Sequence, residues 1–122
     1  MTKWSEVDKS WLACAIDGEG SVGLRTVGTK REQYVRIQIA NTDYQFMKKI
    51  SKLTNTKITV RNHYEGHLGK KVIYWVTINK HKNVLTILEL ILPYLIIKKK
   101  KSKKIILFIK SRTWNKPRGV LN

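Results

Sequence analysis

Apolar positions along this chain recur with two different periods, and the points where the period changes divide it into elements. Ser5, with Asp8 three residues on, fits a capping-box start. After it Val7, Trp11, Cys14 and Gly18 recur at three- and four-residue spacing, while Leu12 and Ile16 mark a second stripe. The pattern predicts a helix apolar on two faces. One face suits its own sheet; the other, carrying small Ala13, Cys14, Ala15 and Gly18, suits a partner helix that approaches closely. From Ser21 to Val27 and from Gln33 to Thr42 the period becomes two. Val35, Ile37 and Ile39 then share one face and Tyr34, Arg36 and Gln38 the other, which predicts a β-hairpin.

Thr42, with Gln45 three residues on, is the predicted cap of a second helix. On it Phe46, Ile50 and Leu53 share a side, Lys48, Lys49 and Lys52 stay in water, and the end is expected near Asn55. A second alternating pair, Lys57 to His63 and Lys71 to Asn79, is joined by a loop with Gly66 and Gly69, and Ile58, Val60, Val76 and Ile78 point one way. A third helix is expected from about Lys82 to Tyr94, where Pro93 disfavours continuation. A basic amphipathic helix from Lys98 through Arg112 follows, carrying Ile105, Ile106, Leu107, Phe108 and Ile109. The expected order is α-β-β-α-β-β-α-α, an α+β chain, and its 122 residues suffice for one domain, 1–122. A domain of that size buries roughly two-thirds of its unfolded surface.

Charge changes the picture from fold to partner. There are 25 Lys and Arg against 8 Asp and Glu, a formal net charge of +17. After Glu89 there is no acid, and Lys98 to Lys104 is a basic low-complexity run. Such a field favours a polyanionic partner, nucleic acid by default, although a structural basic protein of a ribosome or nucleoid fits the composition equally well. The single Cys14 excludes an intramolecular disulfide framework and fits a reducing, intracellular compartment. No leader-like segment precedes Trp4. The apolar stretch from Val84 to Ile97 is broken by Thr86, Glu89 and Pro93, so no membrane span is expected.

The strand faces opposite the apolar ones carry Ser21, Gly23, Arg25, Tyr34, Arg36, Gln38, Thr59, Arg61, His63, Ile73, Trp75 and Thr77. Arg can bridge guanine O6 and N7, Gln can bridge adenine N6 and N7, and Ile or Trp can meet thymine methyls, so this set suits a DNA groove. Lysines such as Lys100 and Lys103 would hold phosphates instead. An antiparallel sheet that simply wets its second face explains any single one of these residues as well, Trp75 least easily.

The first helix ends in Asp17-Gly18-Glu19-Gly20, which puts two carboxylates at the negative end of the helix dipole, where acids are disfavoured. A glycine-rich cap with an acid satisfied by a nearby lysine is one reading. A site for a hard cation is the other, since Mg²⁺ often takes only one or two protein carboxylates and completes its shell with water and substrate phosphate.

These residues, Leu12-Ala13-Cys14-Ala15-Ile16-Asp17-Gly18-Glu19-Gly20, resemble the motif of the LAGLIDADG homing endonucleases, and Pro93-Tyr94-Leu95-Ile96-Ile97-Lys98 looks like the segment that carries the family's basic active-site residue. The resemblance extends over nearly the whole chain and implies a saddle-shaped, antiparallel, four-stranded DNA-binding sheet. Being single-motif, it implies a homodimer, with Val7, Trp11, Cys14, Ala15 and Gly18 at the helix-to-helix interface. It further implies that Glu19, with Gly18 beside it, binds Mg²⁺, or Mn²⁺ as a substitute; that Asn41 orders solvent; that Lys98 steadies the transition-state charge; and that Gln38 and Arg25 contact bases. Such enzymes cut both strands of a long pseudo-palindromic site across the minor groove and leave 3′ overhangs. The alternative use of the fold is a non-cleaving maturase acting on intron RNA, or a DNA-binding regulator. Either belongs in a prokaryotic cytoplasm or an organelle matrix. The chain departs from the pattern at two positions: Glu19 stands where Asp is usual, and Cys14 where glycine is usual.

Overall fold

Among the described residues, four α-helices and four strands follow one another in the order the periodicity predicts. A computed structural model describes residues 3–27, 32–64 and 70–114, with the backbone alone at 26, 27, 32, 62–64, 70, 71 and 112–114. Helix α1 spans Glu6–Glu19, strands β1 and β2 Gly20–Val27 and Glu32–Asn41, and helix α2 Tyr44–Thr54. Strands β3 and β4 span Thr59–Tyr64 and Lys70–Ile78, and helices α3 and α4 His81–Ile91 and Lys99–Trp114. The loop expected to carry Gly66 and Gly69 lies outside the described residues.

The strands form one sheet in the order β1-β2-β4-β3, with every neighbouring pair antiparallel. Register sets the faces. Val22, Ile37 and Ile78 stand opposite one another, as do Ile39 and Val76, and all five are buried against the helices. From α1 the core takes Leu12, Ala13, Ala15 and Ile16; from α3 it takes Val84, Ile87, Leu88 and Ile91; and from α4 it takes Ile105, Ile106 and Ile109. Trp4 joins this core and donates its indole N–H to Leu53 O at 3.1 Å, tying the segment before α1 to the end of α2.

Local chemistry shifts several boundaries from the expected ones. The cap of α2 is Asp43, not Thr42: its carboxylate accepts from Phe46 N at 2.8 Å, and an anion at a helix N-terminus also meets the favourable end of the dipole. Helix α2 buries Met47, Ile50 and Thr54, so its apolar stripe is centred one position from the expected Phe46, Ile50 and Leu53, which leaves Phe46 and Leu53 on the flank of the core. Its end at Asn55, in the left-handed conformation, is where the pattern put it. Helix α3 stops at Ile91 rather than Tyr94, and Leu92–Tyr94 tightens into a 3-10 turn around Pro93, which has no N–H to give. Val60 shares the helix-side face with Tyr74, as expected, but is 56% exposed because β3 is an edge strand.

Candidate active site and nucleic-acid interface

Helix α1 runs straight into β1, so the acidic turn is held at the junction of the two. Gly20 makes the junction possible: a Cβ there would lie 3.1 Å from Ile16 Cα, 3.1 Å from Ile39 Cγ1 and 3.2 Å from Gln38 O. The first and last of these neighbours are backbone atoms, so no side-chain adjustment relieves them. Because Gly20 pairs with Ile39, the end of β2 two residues later reaches Glu19. Asn41 Nδ2 donates to Glu19 Oε1 at 3.2 Å, while Asn41 Oδ1 accepts from Asp43 N at 2.8 Å. The amide is thereby held from both ends, with its donor side toward the carboxylate.

Lys98 arrives from the opposite direction, at the start of α4, where its carbonyl accepts from Ser102 N at 2.9 Å. Asp17 fixes it there. The Asp17 carboxylate accepts from Ile96 N at 2.7 Å and from Lys98 N at 2.9 Å, and Lys98 Nζ donates back to Asp17 O at 2.8 Å. Partial burial raises the Asp17 carboxyl pKa, but the backbone N–H groups of Ile96, Lys98 and Ile97 and the Lys98 charge outweigh it and hold the group below the usual aspartate value. This resolves the placement of an acid at the C-terminus of α1: Asp17 serves the N-terminal end of α4, whose first turn is rich in lysine and offers no acid of its own.

The open face of the sheet gathers the proposed base-reading residues by register alone. Ser21, Gln38 and Thr77 form one row, Gly23 and Arg36 the next, then Arg25 and Tyr34. On the other side of the first row lie Ala40, Trp75 and Thr59, then Ile73 and Arg61, then Lys71 and His63, both described by their backbone only. Gln38 Nε2 donates to Thr77 Oγ1 at 3.0 Å. The Arg61 guanidinium lies 5.3 Å from the centroid of the half-buried Trp75 ring, and the Trp75 indole N–H has no partner in the protein among the described residues. Lys100 and Lys103 are both exposed on α4, and Lys100, Lys101 and Lys104 line a cavity of about 520 Å³ with Leu24, Ile97 and Ile105.

On the outer side of α1, Val7, Cys14 and Gly18 are exposed, Val7 to 71%. A Cβ at Gly18 would meet nothing within 4 Å, so nothing within one chain demands glycine there. Of the other two expected interface residues, Ala15 is buried in the chain's own core. Trp11 packs against Phe46 in a tilted pair with ring centroids 5.5 Å apart, and Lys49 Nζ lies 4.5 Å from the Trp11 ring. Beside the motif end, Ile96 and Ile97 are 84% and 72% exposed, an apolar pair that periodicity passed over because it lies between two helices. A cavity of about 600 Å³ between α2 and α3 is lined by Lys52, Thr54, Asn55, Lys82 and Asn83, with no acid among its walls, and lies apart from this cluster.

This four-stranded antiparallel sheet backed by helices is the fold of solved homing endonucleases, LAGLIDADG proteins among them. Solved structures of this class are similar to the chain. The homing endonuclease I-CvuI, in complex with its target in the presence of calcium, matches with a TM-score of 0.69 and 22% identity over 86% of this chain and 67% of its own. The archaeal intron-encoded homing endonuclease I-Vdi141I, complexed with DNA, matches with a TM-score of 0.67 and 12% identity over 90% and 71%. The group I intron-encoded homing endonuclease I-CeuI, complexed with DNA, matches with a TM-score of 0.68 and 10% identity over 94% and 59%. No family model and no curated protein matches the sequence. Among the described residues, no helix is long and apolar enough to cross a membrane.

Proposed function

We propose that this protein is a site-specific endonuclease of double-stranded DNA, of the homing type, acting as a homodimer. The observation that carries the reading is the convergence of Glu19, Asn41 and Lys98 on the end of α1, beside a sheet whose open face is lined by Arg25, Arg36, Gln38, Arg61 and Trp75. The I-CvuI, I-Vdi141I and I-CeuI structures support it by analogy of fold, since each of those proteins is a homing endonuclease bound to DNA.

The donor set at the motif end fits a divalent cation shared with substrate. Glu19 is exposed, and the Gly18 carbonyl belongs to the last helical turn, where the helix itself supplies no donor. Among the described residues no three His, Cys, Asp or Glu side chains gather to hold a metal ion, so substrate phosphate oxygens and water would complete the shell. Bound Mg²⁺, or Mn²⁺ in its place, lowers the pKa of a water and neutralises charge on the phosphate. Glu19 would hold the cation, and Asn41 keeps the Glu19 carboxylate in one orientation. Lys98 retains two ammonium protons beyond the one given to Asp17 and directs them at the developing phosphorane charge.

One such centre addresses one strand. Packing α1 against its copy through the Val7, Cys14 and Gly18 stripe brings two centres together on a two-fold axis. Cutting across the minor groove of a pseudo-palindrome, with 3′ overhangs, then follows. A randomised duplex library incubated with Mg²⁺, followed by sequencing of the cut ends, tests the proposal: ends clustered at one pseudo-palindrome support it. A dimer that binds DNA or folded intron RNA and never cuts would move the function to a non-cleaving regulator or maturase.

A further inference from the structure

We infer that Asp17 is a positioning residue for Lys98, so that the acidic turn carries two carboxylates with separate tasks: Glu19 toward the cation and Asp17 toward the lysine. The inference rests on the endonuclease reading. Its basis is a reciprocal clasp. Asp17 takes the N–H groups of Ile96 and Lys98 on its two carboxylate oxygens, and Lys98 returns its ammonium to the Asp17 carbonyl.

These three bonds join residues about eighty positions apart and couple the C-terminus of α1 to the N-terminus of α4. The segment from Ile96 to Lys98 has little else to hold it. Ile96 and Ile97 are mostly exposed, and the preceding buried anchor is Leu95. Lysines at 99, 100, 101, 103 and 104 set like charges along the first turns of α4, at the end of the helix dipole where cations are disfavoured. Without the Asp17 charge this turn has no compensating acid of its own, and a lysine on a long flexible stem would sample many rotamers. Displacement of a reacting or charge-stabilising group by about 1 Å costs on the order of a hundredfold in rate, which is the scale at which such a clasp acts.

A cycle of wild type, Asp17→Asn, Lys98→Met and the double variant tests this by single-turnover cutting of the selected duplex at saturating protein, with duplex affinity measured in parallel. Asp17→Asn is expected to slow cutting toward the Lys98→Met rate, to leave affinity within about twofold, and to add nothing in the Lys98→Met background. Equal slowing of both backgrounds would assign Asp17 a merely structural role and overturn the inference, as would a wild-type rate in Asp17→Asn. Should Asp17→Asn fail to fold, the wild type alone decides: nuclear magnetic resonance of its lysine ammonium groups is expected to show one slowly exchanging signal, absent from Lys98→Met, and its absence from wild type overturns the clasp. A wild type that never cuts, with that signal present, removes the nuclease reading and the catalytic role together while leaving the clasp itself intact.

Discussion

Asn41 donates its side-chain amide to Glu19 at 3.2 Å and accepts from the backbone N–H of Asp43 at 2.8 Å, so the end of β2 is tied both to the acidic turn and to the start of α2. Asn41→Asp keeps the acceptor for Asp43 and replaces the donor with a second negative charge beside Glu19. Cutting is expected to slow by about tenfold or more, the order of one missing hydrogen bond to a charged group at about 1.5 kcal/mol. Single-turnover rates, with duplex affinity measured alongside, check this.

Acid should loosen the junction between α1 and α4. The folded-state pKa of Asp17 is lowered, so its stabilising contribution is complete above the ordinary aspartate value of 3.8 and is lost as pH falls below it toward the folded value. Asp17→Asn is expected to be less stable than wild type by about 1 kcal/mol near neutrality, the order of a removed helix cap. Thermal unfolding followed across pH should show that gap closing below pH 3.8.

Gly20→Ala tests the helix-to-strand junction. Its Cβ meets backbone at 3.1 and 3.2 Å, so a cost of about 1–3 kcal/mol is expected in denaturant unfolding, of the size that overpacking produces. Gly23→Ala, where a Cβ meets nothing within 4 Å, is the matched control.

Gly18→Leu should leave one chain folded and separate it from its copy, because Gly18 is exposed, a Cβ there meets nothing within 4 Å in the chain, and a neighbouring helix stands there only across the proposed axis. Sedimentation equilibrium is expected to fall from twice 14.3 kDa for wild type to 14.3 kDa for the variant, with circular dichroism unchanged.

Lys100→Ala and Lys103→Ala remove exposed charges from α4 without touching the centre. Each is expected to weaken duplex binding for all sequences alike and to reduce the salt slope of log K by about 1 for each phosphate no longer neutralised. Thr77→Val, which frees Gln38 from its 3.0 Å partner, is expected instead to relax preference at one symmetric pair of base positions.

Much of this architecture was readable from period alone. Alternation fixed which residues share the open face of the sheet, because a strand cannot shift by one residue without burying Arg36 and exposing Ile37. Even the phase of Trp75 followed from Val76 and Ile78 being core. What periodicity missed lies where the chain is neither strand nor mid-helix. The cap moved from Thr42 to Asp43 because the helix begins one residue later than the pattern suggested, where a carboxylate accepts from Phe46 N and meets the favourable end of the dipole. Ala15 reads as small and therefore as interface, yet three-dimensional packing puts it in the core. The tie from Asp17 to Ile96 and Lys98 joins segments far apart in sequence, and only the unexplained presence of an acid at the wrong end of a dipole hinted at a partner.

The rate at which wild type and Glu19→Gln cut the selected duplex in Mg²⁺, with affinity for that duplex measured on the same samples, tests whether the motif acid is needed for hydrolysis. The variant keeps the shape of the side chain and removes the charge that would hold the cation. Glu19→Gln is expected to show no detectable cutting while retaining wild-type affinity. Equal cutting by the two proteins would contradict the proposed mechanism, because phosphodiester hydrolysis would then proceed without the acid on which the whole arrangement of α1, Asn41 and Lys98 converges.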